Sequence, residues 1–358
     1  MMKRILITGS GGLVGSACVL RFCENGWTVR GIDCDARAEF FGREASTADN
    51  AQALAEKYDT FLNGTEDITH VDRVASVVAS FRPDAIIHAA AQPSHDLAAK
   101  IPMRDFDVNA RATLGLLEAA KNYAPGIPFV YLSTNKVYGD SVNAEEFYET
   151  DTRFEFSPIL YSDGYQGSSK HSGWGETRSV DQTAHSLFGC SKLAADIATQ
   201  EYGLAGWLQT ACLRAGCLTG GDHAGVELHG FLSYLARCIV RGDPYTIFGY
   251  RGKQVRDNLH ADDVAAFCEA FIASPRKAEV YNLGGGKENS CSVLEAIAVM
   301  EEMVGRPFHY ETIGANRRGD HRVYYSDLRK CREQYPSWRV TRDLPWIYEE
   351  LVRAWSDR

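Results

Sequence analysis

The chain has 358 residues, 45% of them apolar and 24% charged, with a formal net charge of −9. That length suits one large α/β unit or two domains, and the acidic balance without a basic tract argues against nucleic acid or an anionic membrane surface as main partners. No apolar run is long enough to span a bilayer, and residues 1–4 lead directly into a strand-like run rather than a leader. The ten cysteines form no Cys-x-x-Cys pair, so no metal site is expected, and their apolar settings read as reduced thiols of a cytoplasmic protein.

In chain order, residues 4–8 form a buried-strand pattern, followed by a glycine-rich turn and a helix over 14–25. A second strand, 28–33, ends on Asp33. Further strands are expected at 85–89, 129–133, 209–214 and 280–283, with helices between them at 71–81, 110–122 and 191–202. Strand and helix alternating at this spacing predict an α/β fold with a doubly wound parallel sheet. From about residue 213 the alternation weakens, and a helix at 228–240 with a polar C-terminal region suggests a smaller substrate-binding lobe. The boundaries read as 1–212, with about 246–283, for the sheet domain and about 213–245 with 284–358 for the lobe. Residues 157–184 are polar, Gly/Ser-rich and aromatic, and read as a surface flap carrying Tyr161, Tyr165 and Trp174.

The turn Gly9-Ser10-Gly11-Gly12-Leu13-Val14-Gly15 places glycines at its first, fourth and seventh positions, between a strand and a helix. The first allows a tight turn, the second lets backbone approach a pyrophosphate, and the third lets the helix pack on the sheet. Asp33 at the end of the second strand is placed to hold adenosine ribose hydroxyls. A 2′-phosphate would be repelled there, so NAD is favoured over NADP, with Arg37 the nearby cation that counts the other way.

This Gly-x-x-Gly-x-x-Gly spacing resembles the extended branch of the short-chain dehydrogenase/reductase superfamily, which implies a Rossmann-type sheet. Asp67-Ile68 resembles the pair that meets the adenine. His88-Ala89-Ala90-Ala91-Gln92 resembles the family's strand-end segment packed against the cofactor, with Gln92 on the substrate side. Asn109 opens a matching helix, and Ser133-Thr134-Asn135-Lys136-Val137-Tyr138-Gly139 resembles the active-site strand end. The resemblance implies that Thr134 hydrogen-bonds the sugar hydroxyl being oxidised, with Asn135 and Lys136 beside it. Lys192 would bind the nicotinamide ribose.

The segment 185–192 reads HSLFGCSK, so Phe188 stands where the family's Tyr-x-x-x-Lys pair carries its catalytic tyrosine. A phenyl ring cannot exchange a proton. Three accounts stay open: another group such as Tyr161, Tyr165, Lys136 or a water held by Thr134 is the base; the phenylalanine is an introduced change; or the protein binds without catalysis.

Farther on, Gly252-Lys253-Gln254-Val255-Arg256-Asp257 and Arg317-Arg318-Gly319-Asp320 resemble the nucleotide-sugar end of the family. Arg256 and Arg317 would there grip a diphosphate, with Asp320 beside them, and Glu227 and His229 could help bind the base or ribose. The activity implied is inversion of a ring carbon of a nucleotide-diphosphate sugar by transient oxidation to a ketone. A reductase, a decarboxylase or a silent binding protein are the alternatives. Dehydration is disfavoured, because the family's dehydratases carry Asp-Glu where this chain has Asn135-Lys136. By analogy, helices 110–122 and 191–202 would form a homodimer.

Overall fold

A computed structural model describes residues 2–157, 173–227, 229–316 and 319–358. The chain divides into two compact units, the first of residues 1–137, 187–214 and 261–281, the second of residues 138–186, 215–260 and 282–358.

The first unit is built on a seven-stranded sheet. Its order is Ala278–Leu283, Gln209–Ala215, Pro128–Thr134, Ala85–His88, Arg4–Thr8, Thr28–Ile32 and Phe61–Leu62. Arg4–Thr8 pairs in parallel with Thr28–Ile32 on one side and with Ala85–His88 on the other. The strand order therefore reverses at the first strand, and the carboxyl ends of Arg4–Thr8 and Ala85–His88 diverge there into a crevice. This is the doubly wound parallel sheet expected from the alternation, and the Rossmann-type sheet that the resemblance implies. Phe61–Leu62 escapes the sequence pattern because two residues show no periodicity.

The helices follow from the same patterning. Val71–Phe81 repeats apolar residues every three or four positions and buries Val74 and Val78. Ala112–Tyr123 buries Leu116, Leu117, Ala119 and Ala120, and these pack with Leu6, Ile86, Phe129 and Tyr131 of the sheet. Each of the larger apolar side chains among these, the leucines, Ile86 and Phe129, contributes roughly 1.5–3 kcal/mol. That helix starts later than the expected residue 110, because Asp107–Arg111 forms a wider π-type turn that carries Asn109 inward. Leu187–Leu204 differs from the others: its buried stripe holds Ser191, Lys192, Asp196 and Thr199 among the apolar residues. Burying that many polar groups is unfavourable unless each finds a partner.

In the second unit Val255–His260 pairs antiparallel with Ser290–Ser292, and in parallel with Val323–Tyr324 and Cys217–Thr219. Helices Phe231–Arg241, Val293–Val304 and Leu344–Ser356 enclose a separate core of Leu235, Ile239, Ile297, Met300, Ile347 and Trp355. The first of these starts at Phe231 rather than 228, since Gly230 lies in the left-handed region. No helix among the described residues is long and apolar enough to cross a membrane.

Candidate active site

The glycine turn sits at the mouth of the crevice. Gly9 has φ +69, its N–H donates to Ile32 O at 2.7 Å, and Gly12 N–H donates back to Gly9 O at 3.0 Å. A Cβ on Gly9 would fall 2.8 Å from Ala90 N, so strand end Ala89–Ala90 lies directly behind the turn. A Cβ on Gly15 would run into Gly9 O. Helix Leu13–Glu24 begins at Gly12 with no side-chain cap and no acidic residue in its first turn, although it opens with Leu13 and Val14 beside the turn. Its first N–H groups and positive dipole end therefore face outward as an anion cradle.

Asp33 closes the other side. Its carboxylate accepts from Gly11 N at 2.9 Å and Asp35 N at 2.8 Å, and burial raises its pKa. Burial also pulls the Arg37 guanidinium down to about 10, against the opposing charges of Asp33 and Asp35. Asp67 is already engaged: Thr69 donates to it twice at 2.8 Å and Arg104 at 3.0 Å. Burial would raise its pKa, and these donors more than reverse that. Ile68 is buried in the core of the first unit.

Behind Ala89–Ala91, His88 is fixed as a neutral ring. The Thr113 hydroxyl donates to Asn109 O at 2.7 Å, so it accepts from His88 Nε2–H at 2.8 Å, and His88 Nδ1 is left to accept from Thr8 at 2.6 Å. Burial, reinforced by the charge of Lys192, pushes the imidazole pKa down to about 3. Gln92 is fully buried and its amide is spent on Ser94 O at 2.9 Å and Asp105 at 2.7 Å. Asn109 accepts from Gln92 N at 2.9 Å and donates toward Gln92 O, Asp105 and Ser191. Both residues thus hold the strand end in place through their side chains. Asp105 and Ser191, joined at 2.5 Å, were not singled out from the sequence. Their signal was spacing alone: Asp105 lies four residues before Asn109 and Ser191 directly precedes Lys192.

The end of Pro128–Thr134 carries the groups expected from the sequence to react. Ser133 donates to Asp196 at 2.5 Å, and Asp196 is in a buried ion pair with Arg214 at 2.9 Å, which anchors helix Leu187–Leu204 under the strand. The Thr134 oxygen accepts from Lys136 N at 3.2 Å, while its O–H meets no acceptor among the described residues. Asn135 is buried and Lys136 half-buried. Lys192 is 3% exposed; its Nζ donates to Leu132 O at 2.6 Å and lies 4.3 Å from the Tyr131 ring centre. Burial pulls the Lys192 pKa down to about 7, against Asp196, Asp105 and Cys212. Phe188 lies one turn earlier on the same helix, 7% exposed.

In the second unit Arg256 is ion-paired with Asp320 and also donates to Val255 O at 2.7 Å, so two of the three expected diphosphate-side groups meet each other. Arg317 lies outside the described residues, as do Tyr161 and Tyr165. His229 lies 5.3 Å from His223, ring centre to ring centre, and Glu227 is exposed.

The sequence profile described as the NAD dependent epimerase/dehydratase family matches residues 5–284. The chain belongs to that family. Among its relatives, CDP-paratose 2-epimerase of Salmonella typhi is 30% identical over 335 residues, spanning 91% of this chain and 92% of that protein. The dTDP-glucose 4,6-dehydratase 1 of Escherichia coli (strain K12) is 26% identical over 367 residues, 98% of this chain and 90% of its own. A crystal structure of UDP-glucose 4-epimerase with UDP-glucose from Thermotoga maritima has the same fold, with a TM-score of 0.76 at 22% identity and 99% of each chain covered. The family's cofactor is NAD, and the residues present fit it: an uncapped helix start behind side-chain-free Gly9 and Gly12, and a carboxylate at the second strand end.

Proposed function

We propose that this chain is an NAD-dependent epimerase of a nucleotide-diphosphate sugar, inverting a ring carbinol by oxidation to a ketone and re-reduction. The observation that carries this reading is the gathering, in one unit, of the uncapped glycine turn, the Thr134 strand end and the buried Lys192. The bound NAD supplies the hydride chemistry at the sugar carbon. Gly9, Gly12, Leu13, Val14 and Gly15 seat its pyrophosphate, Asp33 takes ribose hydroxyls, and Asp67 with Ile68 borders the adenine. Ala89, Ala90 and Ala91 form the back wall, stiffened by Asn109. Thr134 donates its unused O–H to the reacting sugar oxygen, and Lys192 holds the ribose side, with Ser133 behind it anchored on Asp196. Arg256 and Asp320, paired with each other, are the expected diphosphate-binding groups of the second unit, and Arg317 lies outside the described residues. The neutral Asn135 and cationic Lys136 disfavour 4,6-dehydration, which needs an acid and a carboxylate base beside the threonine.

The similarity to CDP-paratose 2-epimerase extends the proposal to a CDP-linked dideoxyhexose inverted at C2. Exposed Leu114 on Ala112–Tyr123 and Ile197 and Leu204 on Leu187–Leu204 suit a homodimer through those helices. Cysteines that form no disulfide among the described residues suit a cytoplasmic setting. Phe188 favours a second reading, a protein that binds NAD and a sugar nucleotide silently.

One experiment separates the two. One portion of purified protein is denatured and assayed for released NAD, and a second, native portion is incubated with CDP-paratose or CDP-tyvelose in heavy water and followed by proton NMR. Near-stoichiometric NAD, the C2 epimer and no deuterium at the inverted carbon are expected. NAD without any epimer supports the silent binder, and the absence of both removes the proposal.

A further inference from the structure

We infer that Lys192 itself is the proton carrier in this chain, taking the place of the missing phenol. The inference rests on the epimerase reading above. That chemistry needs a group at the strand end that changes protonation around neutral pH. Phe188 has no exchangeable proton. Tyr131 is a phenol on the same strand, but it is fully buried and burial drives its pKa well up, so it stays protonated. Both nitrogens of His88 are committed to Thr8 and Thr113, and its burial keeps it neutral. Asp105 accepts from Ser191, Gln92 and Asn109, which leaves it a fixed acceptor inside the protein.

Lys192 differs from all of these. Its ammonium form would carry three donors into a site that supplies one acceptor, Leu132 O at 2.6 Å, and no carboxylate within ion-pair reach among the described residues. A buried ammonium so poorly solvated is costly relative to the amine, which needs no counter-charge. The Tyr131 face at 4.3 Å and the more distant charges of Asp196 and Asp105 favour the ammonium. Burial and these attractions oppose each other and leave the group near its midpoint at neutral pH. Phe188, four residues earlier on the same helix face, offers no hydroxyl to share the charge. Leu132, whose carbonyl holds Nζ, lies two residues before Thr134 on one strand.

The step balances with the family's own oxidant. The sugar O–H bond breaks and its proton joins the lone pair of Nζ. The oxygen keeps the electron pair and would form the carbonyl, with the family's NAD as the acceptor of the carbon's hydride. Re-reduction returns the hydride and takes the proton back from Nζ.

The test compares the parent chain with Lys192→Arg, Phe188→Tyr and the double variant. Arginine keeps a positive charge for the ribose but cannot act as base near neutral pH. Lys192→Arg is expected to retain NAD and lose about 10²–10⁴-fold in turnover, with at least a tenfold recovery when Phe188→Tyr is added. In the parent, turnover should rise with pH through about 7, and a ¹³Cε lysine resonance absent from Lys192→Arg should titrate in the same range. Undiminished turnover in Lys192→Arg, no rescue in the double variant, or a titration above pH 9 overturns the inference. Absence of epimer from the parent and Phe188→Tyr alike removes the epimerase reading, and the inference with it.

Discussion

At the scale of single residues, the side chains that a sequence pattern marks for chemistry divide into those with hydrogen-bonding capacity left over and those holding the frame. Thr134 and Lys192 retain hydrogen-bonding capacity beyond the protein. Gln92 and Asn109 do not, because their amides are consumed around Asp105. That difference was not legible, since a motif fixes which residue stands at a position and not where its donors point. Asp105 shows what the hidden partner contributes. Asp105→Ala would leave Ser191, Gln92 and Asn109 facing an empty, buried acceptor site. At about 1–3 kcal/mol for each stranded donor, partly relieved by relaxation, a loss of about 2–4 kcal/mol is expected in urea unfolding. Asp105→Asn keeps one acceptor oxygen and should lose less. Equal stability of Asp105→Ala and the parent would show that the cluster contributes no net stability.

Whole elements were read more faithfully than single partners. Arg4–Thr8 and Val71–Phe81 stand where the periodicity put them, and the other expected strands of the sheet differ by only a residue or two at their ends. These segments pack one apolar face or run on a uniform core, which is the property a sequence displays directly. The two-residue strand Phe61–Leu62 and the π-type turn Asp107–Arg111 were missed because their shape is imposed by neighbours. The glycine turn gives a prediction belonging to an element. Gly12 has φ −72, and a Cβ there meets Gly9 O at 3.3 Å as its single tight contact, so Gly12→Ala should lose far less thermal stability than Gly15→Ala. The added methyl would still stand on the face that approaches the pyrophosphate and reduce NAD retention by at least tenfold. Gly15→Ala meets backbone instead and should fail by destabilisation, with a lowered melting temperature. Both are read by calorimetry beside an assay of bound NAD, and full NAD retention by Gly12→Ala would contradict the turn's assignment.

For the molecule as a whole, acidity should act in opposite directions on the two units through two buried groups. In the first unit, His88 has its pKa depressed from 6.5 to about 3 by burial and the charge of Lys192. Between those values the unfolded chain binds a proton that the folded chain does not. Its contribution is therefore full above pH 6.5 and falls by about 1.4 kcal/mol per pH unit as pH drops toward 3. In the second unit, Asp257 is buried, accepts from Ser326 N at 2.8 Å and Gly286 N at 3.3 Å, and has its pKa raised from 3.8 to about 6 chiefly by burial. Here the folded chain holds the extra proton. That contribution is full below pH 3.8 and is lost as pH rises through about 6. Neutral substitutions isolate each effect, because every other titration cancels in the difference from the parent. Relative to the parent, His88→Gln should gain stability as pH falls from 6.5 toward 3, and Asp257→Asn should gain as pH rises from 3.8 to 6. Each difference should be flat outside its window. Urea unfolding of the parent and both variants at half-unit steps from pH 3.5 to 8 reads both slopes. Slopes of the same sign would mean that one of the two groups is not buried in the protonation state its surroundings dictate.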